Sequence, residues 1–412
     1  NHIRGGGGND TLIGGNLDDT FYLVTGGTGD NNGIDQYNGG DGYDRIVGGW
    51  SYDVLNVTNN LANLKNIEEL DGGDTTVDRN TILATGANDT LDFSNMVVKN
   101  FTIDGGAGHD VITGTVGNDR IRGGTGNDLL DGRDGSDTYL VGQGDGFDRF
   151  NDTGTGAGDR DRILVTASNV NVGIASISGI EEIDATGRSN VKVVGDASNQ
   201  TLDFSNVELK NITEVDGGAG HDVITASAVS ADGQNYRGGS GNDTLNANGQ
   251  DVNWLYKGAD NGNDNFTGNG TGTVRAIAQD ADVVFGVQGY NNGVDEFVGD
   301  ASGTTIRADG ANNTLNFSDT VLTNISEVDG GGGHDVITAS AVTAGTQSYR
   351  GGSGNDTLNA NGQDLNWLYK GADNGNDSFT GNGTGTVRAI AQDADVVFGV
   401  QGYNNGVDEF VG

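Results

Sequence analysis

Apolar side chains in this chain come as short islands that return at a fixed interval. Val111-Ile112-Thr113 and Thr244-Leu245-Asn246 are each preceded by six residues rich in Gly. Six such residues form a turn that needs unusual backbone angles, which Gly tolerates. The remaining three read as a short strand with one inward apolar side chain. Two such units make a coil of about eighteen residues, and stacked coils form parallel sheets. Helix is a poor alternative. Gly costs about 1 kcal/mol at an interior helical position, and the apolar spacing does not follow a 3.6-residue period.

The unit is nine residues long and reads approximately Gly-Gly-x-Gly-x-Asp-x-apolar-x. Four run in tandem from Gly105, Gly114, Gly123 and Gly132, with acids at Asp110, Asp119, Asp128 and Asp137. Further copies sit at 5–13, 39–47, 217–225, 238–246, 330–338 and 351–359. Degenerate copies at 14–19 and 48–53 end on Asp19 and Asp53. A longer repeat overlies the short one: residues 199–299 and 312–412 align without gaps and differ at 14 of 101 positions. A more divergent copy begins near Asn88, and all three reach an Asp-Gly-Gly-x-Gly-His-Asp-Val-Ile-Thr block. Repetition on this scale means modules rather than one globular domain. The expected division is 1–87 as a partial module, then 88–198, 199–311 and 312–412.

Composition narrows the partners. Among 412 residues 75 are Gly, and none is Pro or Cys. The net charge of −38 excludes a nucleic-acid binder that works by neutralising phosphates, and argues against an anionic membrane surface. No apolar run is long enough to span a bilayer. Without Cys there are no disulfides, thiolate zinc sites or Cys nucleophiles. The chain starts inside a repeat, without a signal-peptide pattern, and reads as a piece of something longer.

Gly positions in a turn expose carbonyl oxygens, and the following Asp adds a carboxylate. Oxygen donors without His or Cys suit Ca²⁺ better than zinc or copper. The nonapeptide resembles the RTX (repeats-in-toxin) calcium-binding repeat, a named example of Ca²⁺-binding β-helix repeats. That resemblance implies an all-β fold, a parallel β-helix or β-roll solenoid in tandem modules of about 112 residues. It also implies that multiple Ca²⁺ ions are sandwiched between sixth-position Asp residues and Gly carbonyls of neighbouring coils. Carried over, Asp110 and Asp128 share one edge, and Asp119 and Asp137 the opposite edge. Asp10, Asp19, Asp44 and Asp53 are the corresponding acids of the partial module. The carbonyls would come from Gly106, Gly108, Gly124 and Gly126 in the first copy and from Gly218, Gly220, Gly239 and Gly241 in the second. Gly331, Gly333, Gly352 and Gly354 supply them in the third.

Spacing adds a reading of its own. Asp222, Asp243 and Asp264 lie 21 apart, and Asp335, Asp356 and Asp377 repeat that interval. Asp110, Asp128 and Asp148 are their counterparts. Each step is one coil plus up to three residues, so every long copy is expected to carry a three-rung Asp ladder along one edge. In the second and third copies the other edge has lost its motif, as at Ala226-Ser227-Ala228-Val229.

Other features read more plainly. His109, His221 and His334 precede ligand Asp residues and are read as a variable, solvent-facing loop position. Asp295 and Asp408 end Asn-Gly turns and stay open between a calcium turn and a plain one. Trp254 and Trp367 are read as core rather than as a sugar-stacking platform. The segments at 66–71, 179–184 and 211–216, read as coil strands entering the next module, loosely resemble the Ile-Glu-x-Ile segments of bacterial surface-layer and other large surface RTX proteins. No zinc-protease or nucleophile-elbow motif is present, so no enzyme activity is expected.

Three functions follow. The first is a secreted structural protein that self-assembles into a cell-surface layer, sheath or filament, with surface polysaccharide as a further partner. The second is the extender of a large adhesin, and the third the calcium-binding tail of an enzyme or toxin. The resemblance implies type I secretion for all of them.

Overall fold

In the computed structural model the described residues form short strands, with a 3-10 turn at Asn59–Leu61. The structure describes residues 1–23, 33–49, 52–73, 80–156, 158–258, 261–268, 270–281, 283–288, 293–371, 375–381, 385–394, 397–399 and 406–412. Trp50 and Ser51 of the second degenerate nonapeptide lie outside them, as do residues 289–292 and 402–405 of the Asn-Gly turns. The chain divides into two units, residues 1–196 with 207–213 and residues 197–206 with 214–412.

In the first unit, strands Val54–Asn56, Thr81–Leu83, Thr102–Asp104, Arg120–Arg122, Thr138–Val141, Arg162–Val165, Glu182–Asp184 and Glu208–Lys210 follow one another in a parallel sheet. Successive side chains of a strand point to opposite faces, so a three-residue strand turns its middle residue inward. Parallel pairing in register then stacks like on like. Leu55, Ile82, Ile103, Ile121, Tyr139, Ile163, Ile183 and Leu209 form one buried column. A second parallel sheet gives the column Leu91, Ile112, Leu130 and Phe150.

The second unit repeats the construction. Thr201–Asp203, Val223–Thr225, Thr244–Asn246 and Asn265–Thr267 pair in parallel and bury Leu202, Ile224, Leu245 and Phe266. Val215, Tyr236, Trp254, Ala276, Phe297 and Leu322 form another column. Trp367 stands in the equivalent column between Tyr349 and Ala389. Both indoles are buried, so neither offers a face to a sugar. Strands Glu296–Val298 and Val321–Thr323 pair across position 311, and in the first unit Thr81–Leu83 and Thr102–Asp104 pair across position 87. Stacking runs through both positions. No helix of the described residues is long and apolar enough to cross a membrane.

Coils approach closely enough that Gly is required at the turns. Gly241 has φ +123°, and a Cβ there would overlap the carbonyl oxygen of Gly220 in the coil before it. Gly241→Ala is therefore expected to lower the calcium-saturated melting temperature of this unit, with backbone strain alone costing about 1–2 kcal/mol. Thermal unfolding followed by circular dichroism measures it; an unchanged midpoint would show that the coils are not this tightly stacked.

Candidate metal centre

The sixth residue of each nonapeptide stands where the turn enters the strand, and there the coils are tied together. The Asp110 N–H donates to Oδ1 of Asp128 at 2.8 Å, and the Asp128 N–H to Oδ1 of Asp148 at 3.0 Å. In the second unit Asp222 donates to Asp243 at 2.8 Å and Asp243 to Asp264 at 3.0 Å. Asp335, Asp356 and Asp377 repeat those distances. On the opposite edge of the first unit Asp119 donates to Asp137 at 2.6 Å. In the partial module Asp10 donates to Asp35 and Asp19 to Asp44, while Asp53 donates to the amide oxygen of Asn80.

One carboxylate oxygen of each receiving rung is thus committed to the neighbouring coil. The other, Oδ2, is buried and without a hydrogen-bond partner in Asp44, Asp110, Asp128, Asp137, Asp243, Asp335 and Asp356, as is Oδ2 of Asp10 at the start of its ladder. The basic side chains go elsewhere: Arg122 to Asp104, Arg160 to Glu182, Arg237 to Asp216 and Arg307 to Asp329. A buried carboxylate without a partner costs several kcal/mol when ionised. A cation between rungs removes that cost.

The space beside these oxygens fits a hard cation. A Cβ built on Gly105 would stand 2.5 Å from both Oδ2 of Asp110 and the carbonyl oxygen of Gly123. At Gly330 the same test meets Gly351 O at 2.5 Å and Asp335 Oδ2 at 2.7 Å; at Gly114 it meets Gly132 O and Asp119 Oδ2, both at 2.7 Å, although this Oδ2 already accepts the Thr115 N–H and hydroxyl. Absent side chains thus leave a cradle between a carboxylate and a carbonyl of the next coil, an oxygen donor set suited to Ca²⁺. These carbonyls belong to the first Gly of each nonapeptide, which the sequence pattern did not single out. The second-position carbonyls of Gly106, Gly218 and Gly331 accept the N–H of Thr125, Ser240 and Ser353. Those of Gly108, Gly220 and Gly333 lie beneath Gly126, Gly241 and Gly354.

Burial, before any other cause, raises several ladder acids above the usual carboxylate range, whereas the N-terminal ammonium beside Asp19 holds that acid below it. Asp110 and Asp119 are pushed up to about 6, Asp335 and Asp377 to about 7, and Asp137, Asp148 and Asp264 to about 8. Asp44, Asp53, Asp128, Asp243 and Asp356 move in the same direction. For Asp110 and Asp335 the acid of the adjacent rung adds to the effect.

The ladders end in different ways. Oδ2 of Asp264 accepts the Tyr256 hydroxyl at 2.7 Å, whereas Oδ2 of Asp377 accepts the Trp367 indole N–H at 3.2 Å. Both oxygens of these third-rung acids are therefore engaged. At the other end each ladder has a rung that spacing did not reveal: the N–H groups of Asp89, Gln200 and Asn313 donate to Oδ1 of Asp110, Asp222 and Asp335. The signal was present as Asn-x-Thr-Leu at 88–91, 199–202 and 312–315, matching Asn-Asp-Thr-Leu at 242–245. Glu68 and Glu181 close opposite-edge ladders by accepting the N–H of Asp44 and Asp161, each at 2.7 Å. That gives the Ile-Glu-Glu segments a structural task.

A second ladder runs outside the first. His109, His221 and His334 are exposed, and their Nδ1 atoms accept the N–H of Asn127, Asn242 and Asn355 at 2.8–2.9 Å. Asn88 does the same for His109 through its amide oxygen. Oδ2 of Asp295 and of Asp408 accepts the N–H of Val274 and Val387, so the facing rung brings no second carboxylate. At the edge where the motif is lost, the Ser227 N–H donates to the Tyr236 hydroxyl, and Ser340 pairs likewise with Tyr349.

A family model, the RTX calcium-binding nonapeptide repeat (4 copies), matches residues 1–22, 30–57, 102–121, 113–148, 232–251 and 343–364. No curated protein matches the chain.

Proposed function

We propose, for a chain that belongs to the RTX calcium-binding repeat family, an extracellular structural role: calcium-loaded coils that assemble with further copies into a surface layer, sheath or filament. Such repeats bind calcium and suggest a secreted protein. Free oxygens such as those of Asp110, Asp128, Asp243, Asp335 and Asp356 would hold the ions, which neutralise the buried carboxylates and clamp coil to coil.

The observation that carries the reading is the repetition of the surface. Val223 and Val336 occupy the same place in consecutive long copies and are 39% and 42% exposed; Val229 and Val342 are 54% and 53% exposed. Equivalent apolar points at a fixed interval offer equivalent contacts to a partner with the same period. On this reading the chain is structural rather than catalytic, leaves the cell by type I secretion, and meets surface polysaccharide as a further contact.

Electron microscopy of the purified chain tests it. Ordered sheets or fibres are expected in calcium and should vanish on chelation. Monomeric rods in calcium would reject self-assembly and favour the adhesin-extender or toxin-tail alternatives.

A further inference from the structure

The opposite edge of the first unit runs past the last nonapeptide. Above Asp137 the next coil carries no motif, yet Oδ1 of Asp161 takes the place of a sixth-position Asp and accepts the Asp137 N–H at 2.7 Å. Asp152, at the end of strand Phe147–Asn151, joins them. One carboxylate oxygen from each of Asp137, Asp152 and Asp161 lies within 4.8 Å of the others. The three residues are 0%, 8% and 4% exposed.

Asp137 supplies an observation beyond the clustering. Its Oδ1 is committed to the Asp119 N–H, so the oxygen it offers to the cluster is Oδ2, which is buried and has no hydrogen-bond partner. No ion pair reaches the three acids among the described residues. Arg160 turns to Glu182 and Glu208, and Arg162 donates to the Thr138 hydroxyl. Asp152 is held in place from behind: Tyr139 donates its hydroxyl to Oδ2 at 2.6 Å, and the Gly154 N–H donates to Oδ1 at 2.8 Å. Three carboxylates packed this closely cannot all ionise without a compensating charge.

We propose that Asp137, Asp152 and Asp161 form a calcium site outside the nonapeptide pattern, with two ligands from segments that carry no repeat. It rests on the reading of the chain as calcium-loaded. Three carboxylates with neither His nor Cys select a hard, oxygen-seeking ion, and Ca²⁺ accepts their irregular arrangement more readily than Mg²⁺. Tyr139 is a positioning residue that aims Asp152. The site extends the opposite-edge ladder by one coil and closes it against Glu181.

Calcium bound per chain, counted by equilibrium dialysis, tests the site in the full chain and in Asp152→Asn, Asp161→Asn and Asp128→Asn. The first two variants keep the side-chain acceptors for Tyr139 and for the Asp137 N–H, and each is expected to lose one ion. Unchanged counts in both, with a lower count in Asp128→Asn, overturn the site and leave the repeat-based reading standing. Unchanged counts in all three overturn both. If an Asp→Asn variant loses its calcium-dependent circular dichroism, terbium emission excited through tyrosine decides in Tyr139→Phe: it falls if an ion sits in this cluster, and unchanged emission overturns the proposal.

Discussion

Stripped of calcium at pH 7.5, the chain is expected to lose most of its parallel-sheet circular dichroism and to regain it when calcium returns. The forces behind this are local and global. Locally, the rungs at Asp110, Asp128, Asp243, Asp335 and Asp356 each bury a carboxylate oxygen without a partner. Globally, a net charge of −38 favours expansion, and 75 Gly residues raise the entropy lost on ordering the backbone. Extracellular calcium modules bind with dissociation constants of about 10⁻⁴–10⁻³ M. At tenfold excess each site contributes about 1.4 kcal/mol, and several sites acting on one stack approach a domain's whole stability. Titration with EDTA followed by far-ultraviolet dichroism measures the effect. A stripped sample that kept its native spectrum would remove the ion from the folding account.

Acid is expected to replace the metal in part. Asp110, Asp335, Asp137 and Asp148 have folded-state pKa values of about 6 to 8, raised first by burial, against about 3.9 in an unfolded chain. Between those values the metal-free coil holds protons that the unfolded chain has released. The stability these groups allow is therefore whole below about pH 4 and is lost as pH rises towards 8. A stripped sample taken from pH 8 to pH 5 should gain sheet signal and melt at a higher temperature. The calcium-loaded chain should show the reverse trend, because protons compete for the ligands. A stripped sample most ordered at pH 8 would contradict the assignment of these carboxylates as buried.

The coil and its ladder were legible from residue spacing because parallel stacking converts a sequence interval directly into a spatial one. Asp222, Asp243 and Asp264, 21 apart, stand on successive rungs for that reason. What spacing could not convey is which way a side chain leans once its neighbour above is fixed. Asp243 and Asp264 look alike in sequence, yet one keeps a free oxygen and the other meets the Tyr256 hydroxyl. Nor could a nine-residue template find Asp161 or Glu181, whose segments each keep only one of its three glycines, Gly156 and Gly179. Their positions follow from coil closure, which depends on residues far along the chain.

The two ladders lean in opposite senses. Each Asp reaches back to the preceding coil's N–H, while each His or Asn accepts from the coil that follows. Every rung therefore presents the same plug on one side and the same socket on the other. Inserting or deleting one complete turn leaves two ends that still mate, whereas a change of a few residues does not. A lineage can thus lengthen or shorten such a protein a whole storey at a time without redesigning any joint.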